Sequence, residues 1–358
     1  MEDLKQFIKN QGWSNYGIVS FEEVRENLKK HEKIFQEWVK KGYEADMDYL
    51  ERMENDRFHP ENKLPDVRSV IVLADSYCGS DVASAAADGS NCGVVARYAR
   101  GKDYHKVLKK RLVELAEFLK LQNNEHRTSN TECRTYASVD SGPTVDRVLA
   151  ESAGLGFFGK NCNIIDPSKG SYFFIASLMT NLDLEPTKKK RMPNCGDCMK
   201  CQNACPIGAL VSPGVLDARK CISYLTIENK GGIPEELRPK IGNRLFGCDI
   251  CQECCPFNSK NSTLKTRNSK SSASELKDIL SIETDEEFLD RFAGTAIMRA
   301  KRVGLLRNAC VVAGNSGDKS LIPYLEKVIE RENDEMLRGH AEWGVKQLSI
   351  SNSQFSNK

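Results

Sequence analysis

The stretch CGDCMKCQNACP, running from Cys195 to Pro206, sets cysteines at Cys195, Cys198, Cys201 and Cys205 and closes on a proline. This is the C-x2-C-x2-C-x3-C-P spacing that wraps a four-iron, four-sulfur cubane: three thiolates take one cluster, and the fourth, turned away at the proline, reaches a second. A second motif is therefore required. CDICQECCP supplies it from Cys248 to Pro256, with thiols at Cys248, Cys251, Cys254 and Cys255. By the same crossing, Cys255 completes the first cluster and Cys205 joins Cys248 and Cys251 on the second. The last ligand of the second cluster stays open between Cys254 and the isolated Cys221, because neighbouring thiolates on different clusters would tightly constrain the backbone. Zinc and disulfides are the bland alternatives, but zinc sites rarely take eight thiolates with two Cys-Pro ends.

Nine of the 14 cysteines fall between Cys195 and Cys255, a crowding that argues for metal in a reducing compartment rather than a disulfide scaffold. A chain of 358 residues is expected to hold two or three structural units. Its 28% charged and 40% hydrophobic content is that of a soluble globular protein, and a net charge of +2 says nothing by itself for nucleic acid. Charge is clustered locally, at Lys188, Lys189, Lys190 and Arg191 and again at Arg299, Lys301, Arg302 and Arg307. The longest apolar runs, Ser69 to Ala74 and Tyr172 to Leu178, are far shorter than the roughly 18 residues of a membrane span. MEDLKQFIKNQG carries no secretory signal, so no membrane partner and a cytoplasmic location are expected.

Outside the cysteine segment, Phe35 to Met53 reads as an amphipathic helix, Arg68 to Tyr77 as a buried strand and Lys102 to Gln122 as a long helix. Arg134 to Asp140 and Gly170 to Thr180 read as strands, and Thr144 to Gly154 as a helix with a glycine stop. These elements predict an α/β domain over residues 1–186, followed by a two-cluster domain over 187–260 and a helical module over 274–350. Basic, proline-containing Thr187 to Asn194 and polar Asn258 to Ser272 are the expected linkers. In the tail, Arg302 to Gly317, Leu321 to Glu332 and Asp334 to Leu348 read as successive helices, either a small HEAT-like solenoid or an ordinary helical cap.

The cysteine segment, taken with Val139 to Asn161, Gly170 to Phe174, Cys221 to Glu228 and Ala300 to Asn308, closely resembles the epoxyqueuosine reductase family from about Tyr49 to Trp343. The resemblance implies a nitroreductase-like α/β cobalamin-binding domain, a ferredoxin-like domain with two 4Fe-4S clusters, and a HEAT-like tRNA-binding module. It implies reduction of epoxyqueuosine to queuosine at the wobble position of tRNA, with cobalamin and the two clusters as cofactors. The implied partners are tRNA with a queuosine-type anticodon and an external electron donor of flavodoxin or ferredoxin type, and the implied state is a monomer.

Among ligands the resemblance favours Cys221, leaving Cys254 a bystander, while Cys78, Cys92, Cys133, Cys162 and Cys310 read most simply as small buried hydrophobes. Asp140 matches the family's proposed general acid, a role that calls for a pKa raised by burial or a neighbouring anion; capping the following helix is the alternative. The glycine-rich run from Gly154 places Gly159, Lys160 and Asn161 as corrin contacts, and Arg57, Tyr98, Asp140, Ser223 and Asp249 match other positions near the cofactor. Arg299, Lys301, Arg302, Arg307 and Arg338, with His340, match the tRNA-facing module, each against the alternative of a solvated charged face. Asp103-Tyr104-His105 nearly reproduces the cobalt-binding signature D-x-H-x-x-G but has Leu108 in place of the glycine. His105 is thus left on a helix surface or lining the substrate side. A reductive dehalogenase-like enzyme and a simple electron carrier are the rival readings, and both leave the basic tail unexplained.

Overall fold

The computed structural model describes residues 2–77, 92–125, 132–140, 142–259 and 273–350. Cys78 and residues 260–272 of the second linker lie outside the described residues. At the centre is a four-stranded sheet of β1 (Asn15–Ser20), β2 (Ser69–Ser76), β3 (Thr135–Val139) and β4 (Phe173–Thr180), in the order β1-β2-β4-β3. Every neighbouring pair is antiparallel, so the alternation of strands and helices along the chain does not make a parallel sheet here.

Both faces of this sheet are covered, which is why Arg68 to Tyr77 reads as an unbroken apolar run rather than an alternating one. On one face Val70, Val72 and Ala74 pack with Val24, Leu28, Val148 and Leu149. On the other, Ile71 and Leu73 pack with Ile8 and with Leu108, Leu112 and Leu115 of the long helix Tyr104–Glu125. The helix expected from Phe35 instead runs over Phe21–Lys40. Ser20 caps its start by accepting the Glu23 N–H at 3.4 Å, and Gly42, at φ 63°, turns the chain away at its end. Tyr49–Arg52 and Glu54–Phe58 are separate short helices.

The three expected domains are not independent units. A second sheet takes one strand from each, with Cys92–Val95 pairing parallel to Arg244–Phe246 on one side and antiparallel to Ala273–Glu275 on the other. The tail forms helices Lys301–Ser316, Ile322–Arg331 and Glu335–Ile350, the first and last packed closely together. Gly314 permits that approach, since a Cβ there would stand 2.7 Å from the Trp343 ring and 2.9 Å from the Gly344 Cα.

Arg307, expected on a tRNA-facing surface, is only 1% exposed. Its guanidinium donates to the carbonyls of Leu225, Asn229 and Gly231 at 2.6–2.8 Å, while Asn308 Nδ2 donates to those of Thr226 and Leu245. His340 is likewise buried, accepting the Ile233 N–H at Nε2. Burial pulls the Arg307 pKa down to about 10, which still leaves it charged at neutral pH. These two residues pin the tail to the cluster segment and cannot reach a phosphate. Arg307→Leu, which leaves three buried carbonyls without their donor, is expected to destabilise the protein by about 3 kcal/mol or more. Lys301→Ala, on an exposed side chain, should stay within about 0.5 kcal/mol by chemical denaturation.

Candidate active site

The thiols separate into two groups, each on the wall of its own cavity. Cys195, Cys198, Cys201 and Cys255 line a small one together with Lys160, Asn161 and Phe257. Cys205, Cys221, Cys248 and Cys251 line part of a much larger cavity of about 1430 Å³. Each group draws its last member from the other motif, as the crossing at Cys-Pro requires. Cys254 lines neither cavity. A 4Fe-4S cluster takes one thiolate per iron around its perimeter. The thiols therefore need not converge on one ion, and among the described residues no three His, Cys, Asp or Glu side chains do so.

The surroundings fit such clusters. The Lys160 N–H points at the Cys195 sulfur at 3.4 Å and the Ala209 N–H at the Cys205 sulfur at 3.3 Å. Burial pushes the Cys248 thiol up to about 12 and raises Cys221 and Cys251 as well, so these sulfurs would ionise only against a metal.

Between the two cavities lies the hairpin of Phe157–Phe158 and Ile164–Ile165. Asn161 at its tip lines both, and its Nδ2 donates to the Cys251 carbonyl at 3.1 Å. Gly159 and Lys160 do not line the large cavity, contrary to the sequence expectation. A Cβ on Gly159 would meet Ile165 and Asn161, so the glycine serves the turn itself, and Lys160 faces the first thiol group, its Nζ on the Gly196 carbonyl.

Tyr77, Phe173 and Phe174, where β2 ends and β4 begins, form one wall of the large cavity, and Arg57, Tyr98, Ser223 and Asp249 line it as well. Its volume exceeds the roughly 300–1,000 Å³ of an ordinary small-molecule pocket. Arg57 Nε is buried there without a hydrogen-bond partner, a donor left for a ligand. Asp249 is held by the Arg97 N–H at 2.8 Å, and burial raises its pKa.

Asp140 sits just beyond β3 with φ 43°, a left-handed backbone unusual for a residue with a side chain. Its side chain is two-thirds exposed, opening into the cavity. The Asp140 N–H donates to Asp146 Oδ2 at 2.9 Å, and its own Oδ2 accepts from the Tyr104 hydroxyl at 2.5 Å and faces His105 Nε2 at 3.5 Å. Asp140 is not a helix cap: the helix Asp146–Ser152 begins after Val145, with no side-chain cap. Desolvation by the surrounding cavity walls raises the Asp140 pKa although the side chain opens into the cavity, but the hydrogen bonds from His105 and Tyr104 prevail and hold it below the usual carboxylate range. That reverses the direction expected of a lone acid. Asp146, closed in behind it, is pushed by burial up to about 7.

Sequence reasoning missed Asp146 and Tyr104 and left His105 undecided, although all three line this cavity. Among the basic residues, Arg299 lies in the cavity wall, bidentate to Glu228 and 5.6 Å over the Tyr49 ring. Arg302 is mostly buried against Glu332 at 2.6 Å, Lys301 is exposed and Arg338 half-buried.

Residues 57–141 match the family described as epoxyqueuosine reductase QueG, DUF1730, and residues 194–258 match the 4Fe-4S double cluster binding domain. The chain is 37% identical over 353 residues to the epoxyqueuosine reductase of Pseudomonas aeruginosa, covering 96% of this chain and 93% of that protein. It superposes on the epoxyqueuosine reductase of Streptococcus thermophilus with a TM-score of 0.83 at 27% identity, covering 99% of this chain and 91% of that one. It also superposes on an epoxyqueuosine reductase solved with an epoxyqueuosine-modified tRNA stem loop, with a TM-score of 0.78 at 31% identity over 97% of this chain and 98% of that one.

The two thiol groups give a direct expectation. Cys221→Ser should lower the iron content of anaerobically reconstituted protein by up to about half and remove one of two cluster signals in electron paramagnetic resonance. Cys254→Ser should leave both signals in place.

Proposed function

The chain belongs to the epoxyqueuosine reductase family, and from that premise we propose that it reduces the epoxide of epoxyqueuosine at the wobble position of tRNA to the alkene of queuosine, using cobalamin and two 4Fe-4S clusters. One observation carries this reading: Asp140 and the thiols Cys205, Cys221, Cys248 and Cys251 stand on the walls of one cavity of about 1430 Å³. The reaction consumes two electrons and two protons and releases water. A site for it must bring a redox centre and a proton donor to the same carbon–oxygen bond.

In this reading Cys195, Cys198, Cys201 and Cys255 hold the first cluster, and Cys205, Cys221, Cys248 and Cys251 the second. Arg57, Tyr98, Asn161, Ser223 and Asp249 would hold the corrin; the unpartnered Arg57 Nε and the cavity's size support the fit. Cobalamin, when bound, would supply the cobalt centre through which the clusters' single electrons act on carbon. The chain's own residues supply the rest. Asp140, aimed into the cavity by its left-handed backbone and the Asp146 carboxylate, delivers a proton to the leaving oxygen. Tyr98 and Phe174 wall the chamber, and Arg299, paired with Glu228 over Tyr49, faces the incoming nucleoside.

The α/β part over 1–186 is taken as the nitroreductase-like cobalamin domain, residues 187–260 as the ferredoxin-like domain, and the helices of 274–350 as a HEAT-like module on which tRNA rests. Lys301 and Arg338, with the outer edges of Arg299 and Arg302, remain its phosphate contacts; Arg307 and His340 do not. The protein is proposed to work as a cytoplasmic monomer fed by an external flavodoxin- or ferredoxin-type donor. Among the described residues no helix is long and apolar enough to cross a membrane.

The test is an anaerobic assay of protein reconstituted with iron, sulfide and cobalamin on tRNA bearing epoxyqueuosine, read by nucleoside mass spectrometry. Wild type should form queuosine, and Asp140→Asn should be slower by about 10² or more. If wild type takes up both clusters but leaves the epoxide intact, the reading fails.

A further inference from the structure

The stretch Asp103-Tyr104-His105, which fails as a cobalt-binding signature, opens the helix Tyr104–Glu125 on the wall of the large cavity. Asp103 Oδ1 accepts the His105 backbone N–H at 3.1 Å and lies 2.8 Å from its Nδ1. With Nδ1 donating to that carboxylate, Nε2 is left turned to Asp140 Oδ2 at 3.5 Å. The Tyr104 hydroxyl donates to the same Asp140 oxygen, and its ring is fixed by stacking on Phe174 at 4.1 Å. A carboxylate that orients one imidazole nitrogen while the other faces the working group is the arrangement by which proteins set a histidine to move a proton.

Epoxide reduction uses two protons per turnover, and a single carboxyl holds one. Asp140, moreover, is held below the usual carboxylate range by its hydrogen bonds, so it stands ionised at neutral pH. The hydrogen bond to Asp140 raises His105 above its ordinary value against the opposing effect of burial, with Asp103 adding to the rise. The groups that face the imidazole are Asp103 just ahead of its helix, the Tyr104 ring stacked on it at 4.1 Å, and Asp140 just beyond β3; Asp146 and Arg147 stand behind Asp140, and Lys106 and Lys109 line the same cavity.

We propose that His105, oriented by Asp103, is the proton reservoir of the site, passing its Nε2 proton to Asp140 Oδ2 so that Asp140 can protonate the leaving oxygen. The proposal rests on the epoxide-reductase reading. In each transfer the Nε2–H bond breaks, an O–H bond forms on Asp140, and the imidazolium becomes neutral imidazole. Solvent water then restores the imidazole proton, while the clusters supply the electrons. His105 acts through Asp140, so it positions and reloads a proton without touching substrate. Because its pKa is raised, this supply is full at low pH and is lost as pH rises through the His105 midpoint.

The experiment uses the reconstituted holoenzyme and two readouts. Histidine C2-hydrogen exchange followed by mass spectrometry gives the His105 midpoint, expected above the ordinary histidine value in wild type and back toward it in Asp140→Asn. Single-turnover conversion of epoxyqueuosine tRNA against pH should show an alkaline limb at the same midpoint. His105→Ala should lose that limb, run slower by about 10-fold or more at neutral pH, and recover with added imidazole in step with its protonated fraction. His105→Gln, carrying no titrating proton, should lose the limb while keeping iron, cobalamin and tRNA binding at wild-type levels. Variants that keep the wild-type rate and limb, a His105→Ala that imidazole does not rescue, or a midpoint indifferent to Asp140→Asn would overturn the proposal. If wild type itself leaves the epoxide intact, the functional reading falls separately, and the midpoint shift still decides whether His105 and Asp140 share a proton.

Discussion

Cys205 stands with Cys221, Cys248 and Cys251, and Cys255 stands with Cys195, Cys198 and Cys201. This exchange of terminal thiols between the two motifs constrains the rest of the molecule. The chain from Ile207 to Gly247 must leave the first motif, supply Cys221 on the way, and return within reach of both cavities. Its middle is then fixed from outside. Arg307 and Asn308 hold the carbonyls from Leu225 to Leu245, and Asn315 Nδ2 holds those of Arg238 and Gly242. The strand Arg244–Phe246 is stitched to Cys92–Val95 of the α/β part. A buried guanidinium that satisfies three carbonyls stabilises one conformation of this loop far more than an apolar side chain could, since each carbonyl would otherwise be buried unpaired. The helical tail therefore helps fix the loop that carries Cys221 as well as forming surface.

The second thiol group opens on the chamber that holds Asp140, while the first is set off behind the Asn161 hairpin. On the wall nearest Asp140, neighbouring groups are driven in different directions: Asp140 is held low, His105 is raised and Asp146 is lifted to about 7. Titratable groups whose environments push their protonation apart are how one site keeps a donor and an acceptor ready at the same pH. The tightness of the turn supports this arrangement, for a Cβ on Gly142 would fall 2.1 Å from the Ser138 hydroxyl.

Features written in local pattern were legible in the sequence. The cysteine spacing, the buried strand from Arg68 and the long helix after Lys102 needed no knowledge of neighbours. The antiparallel strand order did not follow from the succession of elements, because order is set by long-range pairing of β2 with β4 and of β4 with β3. A charge within Ala300 to Asn308 carries no mark of which face it occupies, so Arg307 reads like Lys301, yet Lys301 is exposed and Arg307 is enclosed. Adjacency groups Gly159 and Lys160 with Asn161, whereas of these three only Asn161 faces the large cavity, beside Cys162 and Asn163 of the same hairpin tip. His105 sits in a near miss of a cobalt-binding pattern, and its partner Asp140 lies 35 positions further along the chain. Only the fold makes them neighbours.

On the proposed function, one chamber brings together the inner cluster, the corrin and Asp140. The most direct measurement is anomalous X-ray diffraction at the iron and cobalt edges from crystals of the anaerobically reconstituted protein. The expected result is two iron clusters, one among Cys195, Cys198, Cys201 and Cys255 and one among Cys205, Cys221, Cys248 and Cys251, with a cobalt peak in the large cavity between the second cluster and Asp140. Cobalt outside that cavity, or iron bound to Cys254 in place of Cys221, would contradict it.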